Sequence, residues 1–311
     1  MKRFPYLLLF LLAACAGTNT HSSADRAPSA LGPTEFAVEK ARAKGASQDF
    51  LDLVLQHYRA DQREKVLELN FLGFLRANQA KGDEKIPDWE LQRVQKFIRK
   101  NKLTFAEAEK KFSVPKEVIA SLLWVETKHG RDTGNFHVAS ALFSMAQADY
   151  PTLLDQLLDA AKSKAANYDK IMEQKIADRA RTKSDWAASE LVALEEIHRK
   201  RWKKVEKLNG SFSGAFGMAQ FVPSSYITWA KSNKERPNLF KADDSILSVA
   251  NYLRSNGWEK KSDSQKAALF HYNRDQAYVA HILHMSECLK KPRPKPKPKK
   301  NGRGTASLPP C

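Results

Sequence analysis

Pro115-Lys116-Glu117-Val118-Ile119-Ala120-Ser121-Leu122-Leu123-Trp124-Val125-Glu126-Thr127-Lys128-His129-Gly130-Arg131 is the stretch on which the reading of this chain turns. A proline needs no N–H at a helix start and a glycine suits a helix end, so the stretch predicts one helix of about four turns. Side chains three, four and seven residues back share a face with any helical residue. For Glu126 these are Leu123, Leu122 and Ile119, so a carboxylate stands on the apolar face. Desolvation disfavours its charged form and raises its pKa. A carboxylic acid still protonated near neutrality is what general-acid catalysis requires. A glutamate at a core's edge, paired with His129 or Lys128, gives the same pattern, because structural pairs perturb pKa too.

A second segment lies about ninety residues on, from Gly210-Ser211-Phe212-Ser213-Gly214-Ala215-Phe216-Gly217 to Met218-Ala219-Gln220-Phe221-Val222-Pro223-Ser224-Ser225-Tyr226. Its glycines let backbone approach a neighbour closely. The polar and aromatic mixture that follows suits a groove for sugar, where hydroxyls and acetamides need donors, acceptors and flat apolar faces. The segment lacks the Gly-Lys-Ser/Thr ending of a phosphate loop and the Gly-x-Ser-x-Gly spacing of a nucleophile elbow. By composition alone it also reads as a turn between helices.

Together these segments resemble the membrane-bound lytic murein transglycosylase B family, glycoside hydrolase family 103. Val125-Glu126-Thr127 with Gly130-Arg131, the glycine segment, and Gln220-Phe221-x-Pro223-Ser224-Ser225-Tyr226 carry the likeness. Ala188-Ser189-Glu190-Leu191-Val192-Ala193-Leu194, Ser248-Val249-Ala250-Asn251-Tyr252-Leu253 with Asn256-Gly257-Trp258, and His271-Tyr272-Asn273 with Ala277-Tyr278-Val279 extend it in order over residues 34 to 288.

The resemblance implies a mainly α, lysozyme-like catalytic core that cleaves the β-1,4 bond between MurNAc and GlcNAc in peptidoglycan without water, leaving 1,6-anhydroMurNAc ends. Ordinary glycosidases flank the bond with two carboxyl groups. Here one carboxylic acid would protonate the leaving oxygen, the substrate's acetamide would support the cationic centre, and the same carboxylate would take the C6 hydroxyl proton. Carried over by motif, Glu126 is the catalytic acid and base, and Ser211 and Gln220 hold the sugar and its acetamide. Tyr252, Tyr272 and Asn273 line the groove, although the tyrosines also fit a core with satisfied hydroxyls. No cofactor is implied. The family's acidic calcium loop corresponds to Ser232-Asn233-Lys234-Glu235-Arg236-Pro237-Asn238-Leu239-Phe240, which lacks the alternating carboxylates and central glycine, so no metal is expected there. Asp243 and Asp244 lie later and read as a helix cap.

Lys2-Arg3 and the short apolar run Leu7-Leu8-Leu9-Phe10-Leu11-Leu12 read as a signal peptide over residues 1–14, too short for a spanning helix. Leu12-Ala13-Ala14-Cys15 resembles a bacterial lipobox, which implies lipidation of Cys15. Ala16 rather than Asp after it implies an outer-membrane anchor facing the periplasm. An ordinary signal peptide that happens to contain Cys fits as well. Residues 15–33 are rich in Ser, Thr, Ala, Gly and Pro and read as a flexible tether. Residues 34–110 read as an additional N-terminal helical lobe, with Leu51, Leu53, Val54, Leu55 and Tyr58 in one cluster and Trp89, Leu91, Val94, Phe97 and Ile98 in another. Residues 111–289 form the catalytic core. Between Leu153 and Leu208 the lysines and glutamates read as a solvated helical face. No strand alternation or internal repeat appears, and 311 residues with 42% hydrophobic content can bury a sizeable core.

The net charge is +17, and eight positive charges fall between Lys290 and Arg303, among alternating prolines. Residues 290–311 therefore read as a basic, disordered tail: a solvated spacer, or a hold on anionic wall polymers or lipid headgroups. The tail has no interleaved aromatics and export places it away from nucleic acid, so no nucleic-acid partner is expected. With Cys15 lipidated, Cys288 and Cys311 either pair or remain free thiols. His281 and His284, with His271 nearby, find no Cys or carboxylate that completes a metal pattern in sequence. Two other classes stay open: a non-catalytic peptidoglycan-binding lipoprotein that keeps the groove, and a hydrolytic muramidase with a second carboxylate opposite Glu126.

Overall fold

The computed structural model describes residues 32–76, 85–165, 167–291 and 311. The signal peptide, Cys15, most of the tether and most of the basic tail lie outside the described residues. The chain opens with α1 (Pro33–Ala43), α2 (Gln48–Gln56) and α3 (Arg63–Leu67), which runs into a π-helical turn at Glu68–Leu72. Next come α4 (Asp88–Lys100), α5 (Lys102–Phe112) and α6 (Lys116–Thr127). They are followed by α7 (Val138–Ala146), α8 (Pro151–Lys164) and the long α9 (Lys170–Arg199). The last four are α10 (Pro223–Trp229), α11 (Ala242–Ser255), α12 (Ser262–Tyr272) and α13 (Gln276–Lys290). The protein is mainly α, as its sequence predicts.

Helix α6 carries the decisive stretch, and nine of its twelve residues are buried, so apolar side chains must meet protein all round it. Helices α4, α5, α11 and α13 supply that coat. Helix α7, buried along its whole length, packs on α9, which also receives α1, α8 and α10. Within residues 34–110, α3 lies on α7 and α1 on α9, while α4 lies on α6 and α5 on α11. The first cluster, on α2, meets α7, whereas the second, on α4, meets α6.

Several local expectations differ from what the fold does. Trp89, grouped with the α4 core residues, is 54% exposed at the helix start, whereas Leu91 and Val94 are buried. The charged stretch of α9 is not wholly a solvated face: Lys183 and Glu190 are buried and hydrogen-bonded. The glycine segment is more than a turn between helices. Two two-residue strands, β1 (Phe136–His137) and β2 (Asn209–Gly210), pair antiparallel, and bridges Gly210–Phe216 and Phe216–Phe221 continue the pairing through the loop.

Cys288 and Cys311 are joined in a disulfide, with their Cα atoms 6.0 Å apart. Cys311 also exchanges both backbone hydrogen bonds with Ile86, at 3.1 and 3.2 Å, just ahead of α4. One crosslink therefore ties the end of α13 to the start of α4. No helix among the described residues is long and apolar enough to cross a membrane.

Candidate active site

Helix α6 ends at Thr127, three residues before Gly130, because Lys128 and His129 both turn left-handed at φ 51° and 58°. Their N–H groups close on Trp124 O and Leu123 O, which satisfies carbonyls at the helix end. The His129 ring then folds back under the helix. Its Nε2 donates to Ala120 O at 2.9 Å and the ring stacks on Phe97, with centroids 3.8 Å apart. Burial pushes its pKa down to about 4, so the imidazole is neutral. The Lys128 ammonium sits 4.9 Å from the Trp124 ring.

Glu126 takes a partner that its own helix does not supply. The Tyr278 hydroxyl on α13 donates to Glu126 Oε1 at 2.5 Å. Burial raises the Glu126 pKa to about 7, against a smaller lowering from the Tyr278 bond. Among the described residues, no second carboxylate contributes to this shift. Tyr278 and Tyr272 are both pushed well above the ordinary phenol range by burial first and by Glu126's charge next, so both remain protonated. Asp275 caps α13 by accepting from Ala277 N and Tyr278 N, which fixes the turn that carries the Tyr278 ring. Sequence reasoning held Tyr278 only as part of a motif. The one signal for it was that helix start, an Asp three residues before an aromatic.

The aromatic residues form a wall beside the carboxyl group. Tyr252 and Tyr272 rings lie 4.8 Å apart, Phe221 is within 5.9 Å of both, and Trp229 is 5.8 Å from Tyr252. Their hydroxyls are engaged by protein: Tyr272 donates to Ala219 O, and Tyr252 to His271 O at 2.9 Å. Asn273, directly after Tyr272, is 5% exposed. Its Oδ1 is the one buried side-chain polar atom among the described residues that has no hydrogen-bond partner. Buried polar atoms in native proteins are nearly always paired, so this acceptor is a candidate for a ligand's donor.

The glycine segment lies against the turn that leaves α6. Thr127 Oγ1 donates to Met218 O and accepts from Gly130 N, both at 2.9 Å. At Gly217, φ is +75° and a Cβ would stand 2.4 Å from the Leu239 Cβ, so only glycine fits. Gln220, 7% exposed, uses its amide N–H groups on Gly217 O (2.8 Å) and Thr133 O (3.2 Å), leaving Oε1 to accept. Ser211 is half-buried; its Oγ accepts from Ser213 N (3.3 Å) and Ala215 N (3.2 Å), which leaves its O–H to donate outward. Glu190 accepts from Ser224 N and Oγ, at 2.9 and 2.6 Å, and so holds the start of α10 just beyond Gln220. The structure thus places Tyr278 on the Glu126 carboxyl group and Tyr272 within reach of its charge, with Tyr252 packed on Tyr272. It brings Ser211 and Gln220 to the adjoining loop, with Asn273 beside the tyrosine wall.

The family described as "Transglycosylase SLT domain" matches residues 33–278. The chain belongs to this family. Membrane-bound lytic murein transglycosylase B of Escherichia coli is 30% identical over 151 residues, which cover 48% of this chain and 33% of that protein's length. The soluble lytic transglycosylase SltB1 of Pseudomonas aeruginosa shares the fold with a TM-score of 0.60 and 20% identity, over 83% of this chain and 97% of that one. The E. coli lytic transglycosylase Slt35 in complex with bulgecin A gives 0.59 and 20%, over 83% and 92%. P. aeruginosa SltB3 in complex with NAG-anhNAM-pentapeptide gives 0.57 and 14%, over 83% and 78%.

Two places in this SLT domain bear on metals. The stretch Ser232–Phe240 carries one carboxylate, the exposed Glu235, and the buried Asp244 that follows it accepts from Asn238 N and Ser232 Oγ at 2.7 and 2.6 Å. The Lys203 ammonium sits on Asn238 Oδ1 at 3.1 Å. Asp244 therefore braces the preceding loop and Asp243 accepts from Thr104 Oγ1, so neither caps its own helix as the sequence predicts; the N-cap position is Lys241, with no side-chain capping bond. At the other end, the disulfide brings Cys288 and Cys311 to His284, with Cys288 Sγ 3.8 Å from His284 Nε2. The sequence reading missed this grouping because Cys311 reaches it only through the fold. Both sulfurs are committed to the disulfide and offer no thiolate.

Proposed function

We propose that this SLT domain cleaves the β-1,4 bond between MurNAc and GlcNAc in peptidoglycan by the non-hydrolytic route, with Glu126 as acid and then base. The observation that carries the reading is the state of Glu126: a carboxyl group raised by burial to about 7 and hydrogen-bonded by Tyr278. A group titrating near neutrality can be protonated when the substrate binds and ionised after proton transfer. In the first step Glu126 gives its proton to the glycosidic oxygen and the bond to C1 breaks, with the substrate's acetamide oxygen supporting C1. In the second, the carboxylate takes the C6 hydroxyl proton as that oxygen bonds to C1. Glu126 ends protonated, and no water is consumed. Tyr278, a protonated phenol throughout, stabilises the ionised carboxylate by its hydrogen bond and keeps the pKa from rising further.

In this reading Ser211 donates to the sugar or its acetamide, Gln220 Oε1 and Asn273 Oδ1 accept from its N–H or hydroxyl groups, and the Tyr252 and Tyr272 rings wall the reacting unit. The relatives named as lytic transglycosylases support the reaction class. Anchorage through Cys15 at the periplasmic face of an outer membrane, and a hold by the basic tail on anionic wall or lipid, complete the proposal on sequence grounds.

The test is digestion of purified sacculi by a soluble chain that begins after Cys15, scored by the resistance of released glycan ends to borohydride reduction. Non-reducible ends, lost in Glu126→Gln, are expected. Reducible ends would replace the proposal by a hydrolytic muramidase. A protein that sediments with sacculi and releases nothing would replace it by a binding protein.

A further inference from the structure

The π-helical turn Glu68–Leu72, far from Glu126 in sequence, holds a residue with no place in the reaction described above. Asn70 is 2% exposed and every hydrogen-bonding valence of its side chain is filled. Its Nδ2 donates to Val66 O and to Phe212 O, both at 2.9 Å. Its Oδ1 accepts from Ser213 Oγ at 2.7 Å and from the buried Lys183 Nζ at 3.1 Å. Its own carbonyl accepts from Arg179 Nε at 2.9 Å. Two of these bonds grip Phe212 and Ser213, the residues immediately after Ser211. Ser213 N in turn donates to Ser211 Oγ at 3.3 Å. A π-turn inserted in a helix often marks a functional position, and here it sets Asn70 against the loop.

We infer that Asn70, backed by Lys183, is a positioning residue for Ser211: it locks Phe212 and Ser213 so that the Ser211 hydroxyl points at the substrate. The inference rests on the proposed role of Ser211 and on the proposed reaction. A fully satisfied polar hub in a dry interior fixes one arrangement of its partners, and small misplacements of a substrate-holding group cost rate steeply.

The test is a double-mutant cycle on soluble MurNAc-GlcNAc glycan oligomers, with anhydro product quantified by chromatography and mass spectrometry. Asn70→Ala removes the hub. Ser213→Ala removes one strap only and leaves Phe212 O held, so it keeps the test alive if the first variant folds poorly. Each is expected to lower kcat, about tenfold for Asn70→Ala and less for Ser213→Ala, with KM near that of the parent. In a Ser211→Ala background the same changes should lower kcat by less than about twofold, because the group they position is gone. A smaller population of folded enzyme would scale both backgrounds equally, so full additivity overturns the inference and leaves the proposed function standing. If Ser211→Ala turns over like the parent, the inference falls together with the Ser211 assignment. If the parent yields no anhydro product, the proposed function itself fails, and the inference with it.

Discussion

Replacing Glu126 by Gln should stabilise the protein, and by an amount that depends on pH. In the folded state burial raises this carboxyl from 4.5 to about 7. Between those two values the folded protein holds a proton that the unfolded chain has released, so stability falls as pH rises through this window and is level above it. The cost reaches up to about 3 kcal/mol, at 1.36 kcal/mol for each unit of difference. Because Glu126 is half-buried, solvent at its open side screens part of this. Gln keeps an oxygen to accept from Tyr278 and never charges. Any penalty for its new N–H groups is independent of pH and cancels when two pH values are compared. Thermal melts of parent and variant at pH 4.5 and pH 8 are the assay. The gap between variant and parent should widen in the variant's favour by roughly 5 °C at the higher pH. An equal gap at both values would mean that Glu126 titrates like an ordinary surface carboxylate, and the argument for its role as an acid at neutrality would fail.

Tyr278→Phe removes the bond that lowers the Glu126 pKa, so the basic limb of the activity profile should move to higher pH while maximal turnover drops; an unmoved limb would dissociate Tyr278 from the acid. His129 carries the opposite linkage. Its pKa falls from 6.5 to about 4 on folding, so stability is lost as pH drops through that range, by up to about 3 kcal/mol. In urea melts the stability of the parent relative to His129→Phe should therefore fall as pH drops from 7 to 4. Reducing Cys288–Cys311, or replacing Cys288 by Ser, opens a loop whose ends are 23 positions apart in sequence and should cost about 3 kcal/mol, read as a lower urea midpoint with the slope little changed.

Helix type and the position of the acid were legible because they depend on local spacing. The Leu122, Leu123 and Ile119 face under Glu126 and the proline start of α6 are written within one turn or two. The partner of Glu126 was not legible, because Tyr278 lies 152 residues away and only the packing of α13 on α6 brings it there. His129 could be named as Glu126's partner in sequence, since i+3 neighbours meet on a helix. The left-handed turn at Lys128 removes His129 from that helix and sends its ring to Ala120 instead. The burial of Lys183 and Glu190 escaped a charge-pattern reading for the same kind of reason: their acceptor and donors, Asn70 and Ser224, come from distant segments. Ser211 and Gln220 were reached through a family motif, and their hydrogen-bond geometry explains which of their atoms remain for a ligand.

The coat around α6 also sets the order in which the molecule fails. Amide protons of Leu122 to Val125 sit in a helix covered on all sides and should be among the slowest to exchange with solvent. The loop from Gly210 to Gln220 is buried from Ser213 onward and is tied to Thr127, Thr133, Asn70 and Leu239, so it should exchange with the α6 body rather than ahead of it.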